Sequence, residues 1–270
     1  MNLNIYHTSL LKHMNLDFLR KSLPSVKLST RVCYTMSEEY AFKHDQGKAL
    51  ETVVIPDVQD SNANIVCLES GVNEVTKISR SEFNLKTMHR ILRNRVRKLV
   101  DFAENIITTT KCQNCVLVKM MPRFDYDDKD DSDAAMFLKY AHVVWNNVLE
   151  DLTAKKNVNI QLISILAEQD ILESKEKLYG KRDGIHLAGA AASNTLPLKL
   201  GRALSCIMYK QWWHQLCRNK EQVALTTSCD ISIPSLFSFS STQTDSTPST
   251  DWNDIVAEDE AFQNLFDSRC

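Results

Sequence analysis

Asn64-Ile65-Val66-Cys67-Leu68-Glu69-Ser70-Gly71-Val72-Asn73 is the stretch that decides the fold. Ile65 to Leu68 is a short unbroken apolar run, entered after Asn62 and Asn64 and ended by Gly71. Consecutive apolar residues fill both faces of a strand. Strands buried on both faces belong to parallel sheets covered by helices.

The chain on either side supplies the other elements of such a sheet. Upstream, Leu3 to Tyr6 is a short first strand, and a helix is expected from Leu10 to about Ser22. Ser25 to Cys33 alternates through Val26, Leu28 and Thr30 as a second strand. Ser37, with Glu38 and Glu39 behind it, makes an acidic helix start. Downstream, Ser81 is expected to cap a long helix with Leu85, Met88, Leu92, Val96 and Leu99 on one stripe. Val116 to Met120 is a fourth strand stopped by Pro122, and Asp125 to Asp133 an acidic loop. Ser132 then caps a helix carrying Met136, Tyr140, Val143, Val144 and Leu149. Val158 to Ser164 is a fifth strand, and an Ala-rich last core helix runs from Leu187 to Trp213. Strand and helix alternate throughout, which predicts an α/β, three-layer α/β/α domain around a five-stranded parallel sheet.

Bulk composition narrows the class. With six Gly and six Pro in 270 residues, the chain is not a turn-rich β-sandwich, and a net charge of -2 gives no global pull toward nucleic acid or anionic lipid. Eight Cys in a chain of this length do not fit a small secreted disulfide scaffold. Met1 to Tyr6 is too short and polar for a signal peptide, and no stretch approaches the roughly 18 apolar residues of a membrane span. A cytoplasmic protein with reduced thiols is expected. From Glu221 to Ser268 there is no Lys or Arg, and Ser240 to Thr250 is low in complexity. We therefore expect a domain over 1–215 and a mostly disordered Ser/Thr-rich acidic tail over 216–270. Trp252, Ile255, Val256, Phe262, Leu265 and Phe266 have helical spacing, which would suit a protein partner or a transient helix without one.

In open parallel sheets, ligands bind beyond the carboxyl ends of the strands. That rim would receive Ser9 after strand one, Cys33 and Tyr34 after strand two, Gly71-Val72-Asn73 after strand three, and Pro122-Arg123 after strand four. The loop Asp183-Gly184-Ile185-His186 leads from strand five to the last helix. Each group has an ordinary alternative: Ser9 as a helix cap, Asn73 as turn chemistry, Asp183 as a cap beside a satisfied His186.

Together these blocks resemble the SGNH (GDSL-type) hydrolases, over residues 3 to about 207. His7-Thr8-Ser9 aligns with the family's Gly-Asp-Ser start, Gly71-Val72-Asn73-Glu74 with Gly-x-Asn-Asp, and Asp183-Gly184-Ile185-His186 with Asp-x-x-His. Met121-Pro122-Arg123 resembles the fourth-strand segment of many small invertebrate members. The resemblance implies a flavodoxin-like SGNH fold and hydrolysis of a small-molecule carboxylic ester without a cofactor. Ser9 would be the nucleophile, His186 the general base and Asp183 its orienting carboxylate. Asn73, the Ser9 N–H and Gly71 would form the oxyanion site. Two departures stand out: His7-Thr8 replaces Gly-Asp, and Arg31-Val32-Cys33-Tyr34-Thr35 lacks the family's second-block Gly, so Cys33 or Tyr34 would have to donate its N–H. They leave open a catalytically decayed module of the same fold that binds RNA or a protein.

Three other features carry less. Cys112-Gln113-Asn114-Cys115 has no second Cys-x-x-Cys to complete a zinc site. Lys86, Arg90, Arg93, Arg95, Arg97 and Lys98 make one helix basic, but without interleaved aromatics they suit a solvated face better than nucleic acid. Arg123 is expected to pair with a carboxylate of the acidic loop.

Overall fold

The computed structural model describes residues 1–8, 14–41, 47–78, 82–126, 129–165, 178–179, 184–187 and 196–227. Five strands form one sheet: β1 (Asn2–His7), β2 (Lys27–Val32), β3 (Ile65–Glu69), β4 (Asn114–Val118) and β5 (Ile160–Ile163). Their order is β2-β1-β3-β4-β5, and every neighbouring pair is parallel. β3 and β4 are buried at every residue, whereas the edge strand β2 alternates exposed and half-buried. The apolar run Ile65–Leu68 thus lies in the centre of the sheet, as its composition requires. From β1 the chain crosses one way to β2, and from β3 the other way to β4 and β5. The carboxyl ends of β1 and β3 therefore border the switch point where such sheets take ligands.

Side-chain alternation divides the interior into two cores. Val66, Leu68, Cys115 and Leu117 pack in a core with α2 (Leu50–Ser61), α4 (Leu85–Thr109) and α5 (Asp133–Thr153). Ile65, Cys67, Val116 and Val118 pack in a second core with α1 (Leu16–Ser22) and with Leu196, Leu200, Leu204 and Ile207 of α6 (Leu196–Thr227). The result is the expected three-layer α/β/α domain. A short helix, α3 (Val72–Thr76), leaves the end of β3.

Several element boundaries differ from expectation, each for a local reason. α1 begins at Leu16 because the Asn15 side chain caps it, accepting from the Asp17 and Phe18 N–H groups. Among the described residues, Ser37 is followed by a single 3-10 turn, Glu38–Tyr40. The Glu38 carboxylate accepts from the Gly47 and Ala49 N–H groups and the Thr52 hydroxyl, so it serves the start of α2 instead of a helix of its own. α4 is capped by Asn84, whose side chain accepts from the Lys86 N–H at 2.8 Å, and not by Ser81. On α5 the buried face is Phe137, Ala141, Trp145, Val148 and Leu149, not the stripe through Met136 and Tyr140; Tyr140 is 41% exposed. Phe137, stacked on Phe83 at 4.9 Å, and the fully buried Trp145 take the interior positions. β4 starts two residues early because Asn114 pairs with Ile65. The last helix is described from Leu196 onward; residues 188–195, where the expected start after Leu187 falls, lie outside the described residues.

The chain divides into two compact units, Met1–Arg218 and Asn219–Cys270. Of the second, only residues up to Thr227 are described. The expected disorder of the tail and the Trp252–Phe266 segment lie outside the described residues. Among the described residues, no helix is long and apolar enough to cross a membrane.

Candidate active site

At the end of β1, Thr8 is held by a carboxylate from β3. The Thr8 N–H donates to Glu69 Oε2 at 2.6 Å and the Thr8 hydroxyl to the same oxygen at 2.7 Å. Burial pushes the Glu69 carboxyl up to about 7, against the lowering effect of the two Thr8 bonds, and the Glu74 charge adds to the rise. His7 is buried, with Nδ1 2.9 Å from the Thr8 carbonyl; burial lowers its pKa, so the neutral ring is favoured.

At the end of β3 the chain turns through Gly71, whose φ of 126° belongs to the left-handed region that side chains resist. A Cβ there would also meet the Trp145 ring at 3.0 Å and the Met120 sulfur at 3.3 Å. The turn aims α3 back over the end of the sheet. Glu74 reinforces it with both carboxylate oxygens, accepting from the Gly71 N–H at 2.7 Å and from the Met36 N–H at 2.6 Å. Arg95 donates to the Glu74 carbonyl and lies over the Tyr40 ring. On the same turn, half-buried Asn73 gives one amide hydrogen to the Tyr34 carbonyl at 2.5 Å, tying β3's exit to β2's. A primary amide carries two such hydrogens, so a second remains uncommitted.

The exit of β4 is fastened to the same place. Arg123, 3% exposed, pairs through two nitrogens with Asp125 and donates to the Val72 carbonyl and the Thr76 hydroxyl. Its position beside the acidic loop is thus structural. The Tyr179 hydroxyl donates to the Pro122 carbonyl, and its ring meets Phe124 edge-on. Gly184 has φ 65° and no room for a Cβ, which would fall 2.3 Å from the Phe124 carbonyl carbon. The segment Gly184–His186 is therefore brought to the β4 exit, with the His186 side chain at the surface. A cavity of about 170 Å³ lies past the ends of β4 and β5 against α5, with Met120, Pro122, His142 and Ser164 in its wall.

Tyr34, Asn73 and the segment Gly184–His186 thus lie beyond the exits of β2, β3 and β4. Ser9 and Asp183 lie outside the described residues. Three expectations about donors are corrected. The Cys33 N–H donates to the His7 carbonyl at 2.8 Å, continuing the pairing of β2 with β1, and the Tyr34 N–H donates to the Lys48 carbonyl ahead of α2 at 3.3 Å. The Gly71 N–H is taken by Glu74, so Gly71 serves the turn and not an oxyanion. Cys112 and Cys115 are buried; burial pushes the Cys112 thiol up to about 11 and the Cys115 thiol up as well, which favours the thiol over the metal-binding thiolate. On the basic helix, Arg93 pairs with Asp151 and Lys98 with Glu39, so part of its charge is compensated within the domain.

Sequence reasoning passed over Glu69, Glu74 as a double acceptor, and Gly184. A carboxylate closing an otherwise apolar strand was the available signal for Glu69.

No protein-family profile matches the chain, and no curated protein matches it in sequence. Among solved structures, a catalytic mutant of Axe2, an acetylxylan esterase from Geobacillus stearothermophilus, is similar over 75% of this chain and 91% of that chain, with a TM-score of 0.50 at 12% identity. Est24, a carbohydrate acetylesterase from Sinorhizobium meliloti, is similar over 76% of this chain and 99% of that chain, with a TM-score of 0.49 at 10% identity. At such identity the likeness is one of fold.

Proposed function

We propose that residues 1–215 form an SGNH-like serine esterase that hydrolyses a small carboxylic ester. The supporting observation is that Asn73 and the Gly184–His186 segment, far apart in sequence, are fastened to neighbouring strand exits beside the switch point. Ser9, one residue beyond Thr8, completes the set.

In this reading the Ser9 hydroxyl attacks the ester carbonyl. His186 takes its proton and then delivers it to the leaving alcohol, forming an acyl-serine. Water, deprotonated by His186, hydrolyses that intermediate and restores Ser9. Asp183 orients the imidazole and stabilises its cationic form. The uncommitted Asn73 amide hydrogen and the Ser9 N–H receive the charge that develops on the carbonyl oxygen. An acetyl ester is the first substrate to test, since acetyl is the acyl group in the names of the structurally similar esterases.

The test is turnover of phenyl acetate and labelling by a fluorophosphonate, in wild type and Ser9→Ala. Turnover and labelling that both vanish in the variant support the reading. A folded wild-type protein that neither hydrolyses aryl esters of any acyl length nor takes the label overturns it and leaves the non-catalytic module.

A further inference from the structure

Glu69 is a buried carboxylate at the end of the central strand, where the four preceding residues are apolar. A buried carboxyl group is costly unless its hydrogen bonds are made. Both hydrogen bonds to Glu69 Oε2 come from Thr8, 61 positions away and next to residue 9. The third polar atom of Thr8, its carbonyl oxygen, faces His7 Nδ1 at 2.9 Å. N–H, hydroxyl and carbonyl of a single residue are thus all engaged. The clamp therefore acts on the residue that directly precedes residue 9 in the sequence.

We propose that Glu69 is a positioning residue that clamps Thr8, the residue immediately before the proposed nucleophile Ser9. The proposal rests on the reading of Ser9 as nucleophile. It assigns to a carboxylate of β3 the control of a turn for which His7-Thr8 lacks glycine's freedom. Among the described residues, the titratable groups that interact with the Glu69 charge are Cys67 on its own strand and Glu74 on α3. Neither supplies a fixed positive charge, so the Thr8 donors are what hold the carboxylate in place. Its rise to about 7 means that the clamp changes charge near neutral pH, and the ionised form is the stronger acceptor.

The experiment compares wild type, Glu69→Ala, Glu69→Gln and Thr8→Val in two readouts: NMR hydrogen exchange at the residue 8 amide, and kcat and KM for phenyl acetate across pH 5.5–8.5. In Glu69→Ala, exchange should rise on the order of tenfold or more, and kcat should fall by at least as much with KM little changed. Glu69→Gln keeps an acceptor oxygen and should restore most of both, while flattening the part of the kcat profile that follows Glu69 ionisation. Thr8→Val removes one bond without touching the carboxylate and should fall between, which keeps the test valid if Glu69→Ala does not fold. Unchanged exchange in Glu69→Ala and Thr8→Val overturns the clamp. Raised exchange with unchanged kcat overturns the positioning role. Wild-type protein without turnover or labelling overturns the Ser9 reading, and the positioning role with it, while exchange still decides the clamp.

Discussion

Phe124 donates its backbone N–H to the Gly184 carbonyl at 2.8 Å, fastening the chain ahead of His186 to the exit of β4. Neither side chain takes part in that bond. What permits the approach is the missing Cβ at Gly184, because the Phe124 carbonyl carbon would lie 2.3 Å from it. The place of the proposed general base thus depends on a glycine two residues before it.

Gly184→Ala should therefore displace His186. Phenyl acetate turnover should drop at least tenfold, and the left-handed backbone adds a stability loss of about 1 kcal/mol. Steady-state kinetics and thermal unfolding of the same preparation check both. Full activity in the variant would detach His186 from the reaction.

Asn73→Ala removes both the amide that bonds the Tyr34 carbonyl and the hydrogen proposed to receive the oxyanion. The lost Tyr34 bond should cost about 1 kcal/mol of stability, whereas the lost oxyanion donor should lower kcat by about 10²–10³. Urea unfolding and kcat distinguish the two effects. A stability loss without a kcat loss would confine Asn73 to the turn.

Glu69 gives the pH dependence of stability a definite sign. Its carboxyl is raised in the folded protein from 4.5 to about 7, so the folded state binds this proton more tightly than the unfolded chain. Its contribution is fully present below pH 4.5 and is lost as pH rises through 7, a change of about 3 kcal/mol in all. His7, lowered by burial, acts in the opposite sense: its contribution is present above its unfolded value of 6.5 and is lost as pH falls through its lowered value. Glu69→Gln keeps His7, so subtracting its unfolding free energies from those of wild type isolates Glu69. The difference, measured in urea from pH 4.5 to 8.5, should fall as pH rises to about 7 and level off above it.

Asp125→Asn leaves the Arg123 guanidinium buried without its countercharge. A broken buried pair of this kind typically costs about 3–5 kcal/mol. Asp125 is itself 21% exposed, so the lower end is expected. Because Arg123 also holds the Val72 carbonyl and the Thr76 hydroxyl, the exits of β3 and β4 should loosen together. Hydrogen exchange across 72–76 and 120–125 would detect the coupling.

The sheet was legible in the sequence because burial on both faces demands runs such as Ile65–Leu68, and the alternation of strands with helices leaves few ways to connect them. The helix stripe Met88, Leu92, Val96 and Leu99 was legible for the same reason: period sets face. The interior face of α5 was not, because its sequence offers two apolar stripes and only packing on Phe83 and Gly71 selects the one with Phe137 and Trp145. The start of α4 went to Asn84 because a cap is chosen by where the backbone turns, and several polar residues nearby could serve.

The site divides the same way. The spellings Gly71-Val72-Asn73-Glu74 and Asp183-Gly184-Ile185-His186 name the groups and their chemistry, since residue type and short spacing are properties of the chain itself. Only the folded molecule commits the Cys33, Tyr34 and Gly71 N–H groups to other acceptors and joins Glu69 to Thr8. Hydrogen bonds between residues 61 apart exist only once β1 and β3 lie side by side, and that adjacency is a product of sheet order, which no local stretch of chain contains.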